Sequence, residues 1–317
     1  MKEQMITVEK AFGIQGAHHE VPALAPDHEH MAFVPKANPD YRFRRELLTD
    51  VLGWLQHGEH YPLWLTGPMG CGKTSIIIEV HARLNLPLHI VTGHDRMETP
   101  DLIGQHVLID GDMIFLPGPL LNALRFGHTL LVDEVDMLDP GTVAGLNALR
   151  EGQPITVPEN GGELVHPAPG FRLVVASNTK GSGDVDGVYG GAKRLNGAFV
   201  DGFIGIEVDY PDEDTELELL HATSPKLDRR YHQAMLRVAQ EVRKAFMGEN
   251  DAGDAIPVTM STRSLLRWGH LVKVFAGVRR RGENPFLYAL RRAMTWRCDP
   301  ETRAFIENLA HAELGED

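Results

Sequence analysis

The sequence predicts an α/β domain on a five-stranded parallel sheet with β-hairpin insertions, followed by a small all-helical domain. Three observations lead there. Five short apolar runs lack polar alternation and are separated by helical patterns, which reads as strands buried on both faces. Two stretches carry Asp-Gly or Asn-Gly between apolar pieces, the mark of a hairpin. After Pro211 only helical patterns remain.

Taken in order, residues 1–40 read as a mostly irregular N-terminal extension, with Pro22, Pro26, Pro35 and Pro39 breaking any longer element. His18, His19, His28 and His30 cluster there. Without metal-ligand spacing they read as a solvated loop. Residues 41–57 place Phe43, Leu47, Leu48, Val51, Leu52 and Leu55 at helical spacing. YPLWLTG (61–67) is a strand feeding a loop, SIIIEVHARLN (75–85) a helix and LPLHIVTG (86–93) a second strand. A hairpin is expected over 105–116, around Asp110-Gly111, and another over 152–168, around Asn160-Gly161-Gly162. HTLLVDEVD (128–136), FRLVVASNT (171–179) and FIGIEVDYP (203–211) supply the other three strands. The expected organisation is an extension over 1–40, an α/β domain over 41–210 and a helical domain over 211–317.

Charge and cysteine content exclude several classes. The chain has 317 residues and a formal net charge of -13, so its surface as a whole repels a phosphate backbone. Nucleic acid is therefore disfavoured as a partner. Two cysteines, Cys71 and Cys298, are too few for a disulfide scaffold or an all-cysteine zinc site. No run approaches the length of a membrane-spanning helix, and MKEQMITVEKAFGIQG lacks a signal-peptide core, so no membrane association and a cytoplasmic location are expected.

The chemistry is carried first by Gly67-Pro68-Met69-Gly70-Cys71-Gly72-Lys73-Thr74, which matches G-x-x-x-x-G-K-[ST] at every defined position, between a strand and a helix. Glycines let backbone N–H groups turn inward around phosphates, and the following helix, through Ser75, adds its positive end. Lys73 would reach the β and γ phosphates of ATP, and the Thr74 hydroxyl would ligate Mg²⁺. Cys71 reads as a small residue filling a tight turn, with a reactive thiol as the alternative. Asp133 and Glu134 end an apolar strand, where α/β proteins bind ligands. Asp133 would hold Mg²⁺, and Glu134 would polarise the attacking water. Asp136 and Asp139 read as caps or surface groups. Asn178, at the tip of FRLVVASN, would orient that water; a plain turn Asn is the alternative. Arg263, in MSTRSLLRW, would reach the γ phosphate from the lid; a solvated helix-start Arg is the alternative.

These four elements in this order, with a helical lid, resemble the AAA+ ATPases. The hairpin at 105–116 and the second one before the Asn178 strand resemble the helix-2-insert branch and, within it, the MoxR-type proteins. AFGI, AFVP, NPDYRF at 38–43, SNTKGSGDVDGVYGG at 177–191 and MSTR at 260–263 are similar to the ATPase subunit of the aerobic cobaltochelatase. The resemblance implies a homo-oligomeric ring, usually a hexamer, with ATP between subunits, and Tyr41 and Phe43 near the adenine base. It also implies a von Willebrand factor A-type protein partner and a large chelatase-like subunit. Relatives carry Asp-Arg-aromatic where this chain has Asp201-Gly202-Phe203, so the Arg expected to enter the neighbour's site is Gly202 here. Arg194, or Lys193, is the nearby candidate to replace it; two plain surface charges are the alternative.

The leading expectation is a Mg²⁺-dependent ATPase motor that remodels a partner protein, with the 105–116 loop transmitting force. A nucleotide-gated scaffold with little turnover is the second reading, because of Gly202. A nucleic-acid motor is the third.

Overall fold

The computed structural model describes residues 3–184, 189–249 and 255–315. Residues 185–188, within the SNTKGSGDVDGVYGG stretch, lie outside the described residues. The chain divides into two units, Met1–Pro68 with Gly72–Val208, and Met69–Cys71 with Asp209–Asp317.

The first unit opens with β1 (Glu3–Thr7), α1 (Val8–Phe12) and β2 (Glu20–Leu24), where β1 and β2 pair antiparallel. The extension expected to be mostly irregular thus contains three regular elements that the sequence did not indicate. Val8, Phe12, Val21, Ala23 and Leu24 are buried, so apolar burial orders a segment whose prolines read as breakers. Pro22 is tolerated because β2 has only one strand neighbour. Of the four histidines, His18 and His19 are exposed as expected, whereas His28 and His30 are half-buried: His28 Nε2 lies 2.9 Å from Asn85 O, and the His30 ring packs edge-on against His128 at 4.6 Å.

α2 (Arg45–His57) begins four residues later than its apolar pattern, and Tyr41–Arg44 run outside it. Next come β3 (Leu63–Thr66), α3 (Lys73–Leu84), β4 (Leu88–Thr92) and α4 (Thr99–Ile103). β5 (Gly104–Ile109) and β6 (Asp112–Pro117) form the first expected hairpin, turning at Asp110-Gly111 with positive φ at both residues. α5 (Pro119–Phe126), unforeseen from the sequence, leads into β7 (Thr129–Asp133). The short α6 (Pro140–Ala144) and α7 (Asn147–Arg150) precede the second hairpin, β8 (Ile155–Val157) with β9 (Glu163–Val165). β10 (Arg172–Ser177), α8 (Gly197–Val200) and β11 (Ile204–Glu207) complete the unit.

The five apolar runs form one parallel sheet in the order β11-β3-β10-β7-β4. β3, β7 and β10 lie inside it, and every residue of Leu63–Thr66 and Thr129–Val132 is buried. That burial on both faces is why these strands show no alternation. The loop after β3 and the acids after β7 consequently share the C-terminal edge with the end of β10.

The second unit holds α9 (Glu213–Thr223), α10 (Arg229–Phe246), α11 (Thr262–Val274), α12 (Pro285–Ala293) and α13 (Pro300–Leu314). They pack around Met235, Val242, Leu265, Trp268, Leu290 and Ile306. Among the described residues, no helix is long and apolar enough to cross a membrane.

Candidate functional site

The loop after β3 turns on Gly67, Gly70 and Gly72, with φ of 148°, 74° and 104°. These values strain any residue with a Cβ and turn successive N–H groups inward. Gly72 caps α3, whose first turn contains no acid, so the helix end keeps its positive potential. Lys73 is buried, and its ammonium donates to Gly67 O (2.8 Å), Pro68 O (3.0 Å) and Asn178 Oδ1 (2.9 Å). Thr74 Oγ1 donates to Asp133 Oδ2 at 2.7 Å. Four residues from three distant segments of the sequence therefore meet at one sheet edge. Ser75 sits in the same first turn of α3. Cys71 is buried, while Met69 is 42% exposed.

Glu134 follows directly, with φ 54° and ψ 44°. A non-glycine residue in the left-handed region is held there against strain, here by close approach of β4. Gly93 N donates to Asp133 O at 2.7 Å, and a Cβ on Gly93 would lie 2.5 Å from Glu134 O. Only glycine allows that approach. The Glu134 carboxyl is solvent-accessible, yet the surrounding protein withdraws part of its hydration. That effect, with the charges of Asp133 and Asp136, raises its pKa above the ordinary carboxylate value, against the pull of Lys73.

Asp136 is neither a cap nor a surface group, and that expectation is corrected. It is 1% exposed, and its Oδ2 accepts from Thr179 Oγ1 (2.8 Å) and Thr179 N (3.3 Å). It thereby ties the end of β7 to the turn that carries Asn178. Ser177 and Thr66 hydroxyls donate to Thr179 O from the other side, and Trp64 Nε1 donates to Ser177 Oγ (2.8 Å). Asp139 does cap α6 through Gly141 N.

Tyr41 and Phe43 lie edge to face at 4.8 Å, and Phe43 meets Phe12 at 5.0 Å. Their segment is fixed to α3, because Asn38 N donates to both Glu79 oxygens (2.9 and 3.1 Å) and Arg83 donates to Asn38 O (2.9 Å). Arg44, next in the chain, comes within 3.6 Å of where a Cβ on Gly72 would stand. The aromatic pair thus lies one residue away from a side chain that touches the loop.

Arg194 has an exposed side chain and a backbone bridge to Ser182. Lys193 pairs with Asp139 at 3.5 Å, and its N–H donates to Asp136 O at 2.7 Å. Sequence reasoning missed Arg150. Its guanidinium lies across Gly202, where any Cβ would overlap it, and donates to Ala198 O and Phe199 O. Nothing local in the sequence links positions 150 and 202.

In the second unit, Arg263 is an exposed residue of the first turn of α11, which Ser261 caps. The start of that helix is pinned by Glu216, buried and held by both Arg243 nitrogens (2.7 and 2.8 Å) and by Thr262 Oγ1 (2.5 Å).

Comparison with known proteins follows the same division. The AAA domain of the dynein-related subfamily matches residues 62–189, and the CbbQ/NirQ/NorQ C-terminal domain matches residues 216–313. Protein NorQ of Paracoccus denitrificans is 31% identical over 208 residues, 66% of this chain and 74% of NorQ. The aerobic cobaltochelatase subunit CobS of a Sinorhizobium species is 28% identical over 316 residues, 96% of this chain and 89% of CobS. The denitrification regulatory protein NirQ of Stutzerimonas stutzeri is 27% identical over 250 residues, 79% of this chain and 84% of NirQ.

Proposed function

The chain belongs to the MoxR-type AAA+ ATPases, with a CbbQ/NirQ/NorQ C-terminal domain, and from that premise we propose that it is a Mg²⁺-dependent, ring-forming motor that remodels a partner protein. Nucleotide binding and ATP hydrolysis come with the family. The observation that supports it best is the convergence of Lys73, Thr74, Asp133 and Asn178, with Glu134 beside them.

Lys73 already bridges three oxygen acceptors, so a triphosphate would take over bonds that the ammonium makes to the loop and to Asn178. Thr74 and Asp133, adjacent hard oxygen donors, suit Mg²⁺, which would supply charge neutralisation on the phosphates. Glu134 would accept the proton of the attacking water, and Asn178, freed from Lys73, would orient it. Tyr41 and Phe43 would face the base. Arg263, on a helix pinned by Glu216, would report nucleotide state to the helical lid.

A cation from the neighbouring subunit would complete the site. Arg194 is available for this because its side chain is exposed and has no ion pair among the described residues. Arg150 occupies the space at Gly202 but spends its donors on the carbonyls of α8 and on the Glu151 carboxylate (3.0 Å). The client would be a von Willebrand factor A-type protein, with or without a large chelatase-like subunit, in the cytoplasm. The second reading, a gated scaffold that turns over slowly, is favoured by Gly202 alone.

Steady-state ATP hydrolysis with Mg²⁺ across protein concentrations, beside mass photometry with and without ATP, tests the reading. Turnover that rises as a ring forms, and that Arg194→Ala abolishes, is the expected result. Ring formation without turnover would favour the scaffold, and turnover by a monomer would remove the trans-acting cation.

A further inference from the structure

The cations at the end of α11 in the second unit are not among the residues assigned to the nucleotide site. Lys273, Arg279, Arg280 and Arg281 are exposed, and none has an ion pair among the described residues. Between residues 273 and 292, six basic side chains face a single acid, Glu283, in a chain whose net charge is -13. Arg291 absorbs the acids in reach. It bridges Glu307 at 2.8 Å and feels the charge of Glu283.

The corner is ordered by its own packing. Val278 is buried beneath the 3₁₀ turn Ala276–Arg281, which Gly282 closes with φ 75°. Its three arginines therefore sit on a fixed turn. Apolar and aromatic surface lies beside them. Val274 is 53% exposed, Phe275 meets Tyr288 edge to face at 5.2 Å, and the Arg292 guanidinium lies 3.2 Å over the Tyr288 ring.

We propose that this corner is a docking surface for an acidic segment of a partner protein. Its carboxylates would meet Lys273 and Arg279–Arg281, and an apolar side chain would rest on Val274 and Phe275. Forked guanidinium donors match carboxylates in pairs. Like charges crowded together without counter-charge repel one another, so an acidic occupant relieves that repulsion. Size selects the occupant. At physiological salt the Debye length is about 8 Å, so a slender segment feels chiefly the local positive field. A second copy of the chain, or a nucleic-acid duplex, brings more surface within range of the acidic remainder. The proposal draws on the motor reading only for the existence of a partner, and nothing in it depends on nucleotide.

The test uses the full chain and fluorescence anisotropy with three probes: a Glu/Leu peptide, its Gln/Leu counterpart and a short DNA duplex. The wild type is expected to bind the Glu/Leu peptide and to ignore the Gln/Leu one. The triple variant Arg279→Glu, Arg280→Glu, Arg281→Glu should bind it at least about tenfold more weakly, with ATP turnover unchanged. Val274→Asp should weaken it too, while Val274→Leu keeps it. Equal peptide affinity in the triple variant, absence of peptide binding by the wild type, or tighter binding of the duplex than of the peptide each overturns the proposal. Loss of ATP turnover in the wild type would sink the motor reading and leave the peptide result to stand by itself.

Discussion

At the scale of single residues, Glu134 carries the sharpest expectation. Its backbone is left-handed beside the close approach of Gly93, and its pKa lies above the ordinary carboxylate value. Glu134→Gln should still bind ATP and lose turnover by about 10²–10⁴-fold, measured as kcat beside nucleotide affinity. A base must be ionised. Turnover should therefore fall as pH drops through the raised pKa, with an acid limb above that of an unperturbed Glu. A pH profile of kcat/KM that stays flat down to the ordinary Glu value would remove Glu134 as the base. The Asp133-Glu134 pair was legible in the sequence because it ends an apolar strand. Asp136 was not, because an acid two residues further on gives no local sign that it is buried against Thr179.

At the scale of elements, two contacts decide how the site parts are held. Glu216 is 1% exposed and satisfied by Arg243 and Thr262, which fixes the first turn of α11 beside Arg263. Removing it leaves Arg243 half-buried without its carboxylate. Glu216→Ala should cost about 3–5 kcal/mol in denaturant unfolding, and a cost under about 1 kcal/mol would mean the pair does not anchor the helix. Gly202 is the second. A Cβ there displaces the Arg150 guanidinium from the carbonyls of α8. Gly202→Ala should lower stability by about 1–2 kcal/mol. An unchanged unfolding midpoint would show that Arg150 swings aside freely. Both hairpins were legible from Asp-Gly and Asn-Gly, whereas β1 and β2 were not. Their order comes from apolar residues that only find partners across the fold.

At the scale of the whole molecule, buried histidines set the response to acid. Burial lowers His81 and His128 from 6.5 to about 4, and lowers His89 and His232 in the same direction. His128 stacks on His89 with a 3.0 Å nitrogen–nitrogen contact, and its other nitrogen is buried without a partner. These groups are neutral when folded and take up protons more readily when unfolded. Stability is therefore full above about pH 6.5 and declines as pH falls toward 4. Thermal unfolding between pH 7 and pH 4 should show this decline, and His128→Phe should flatten it. An equal acid slope in that variant would place the sensitivity elsewhere.

The sequence by itself determined the five strands of the parallel sheet, the two inserted hairpins, the helical second unit, the phosphate loop and the acids at the end of β7. Each follows from local periodicity, backbone freedom at glycine or a fixed spacing. Only the tertiary structure decided which distant residues meet: Lys73 with Asn178, Thr74 with Asp133, Asp136 with Thr179, and Arg150 with Gly202. Strand order and packing bring these pairs together, and neither is written in the neighbourhood of any one residue.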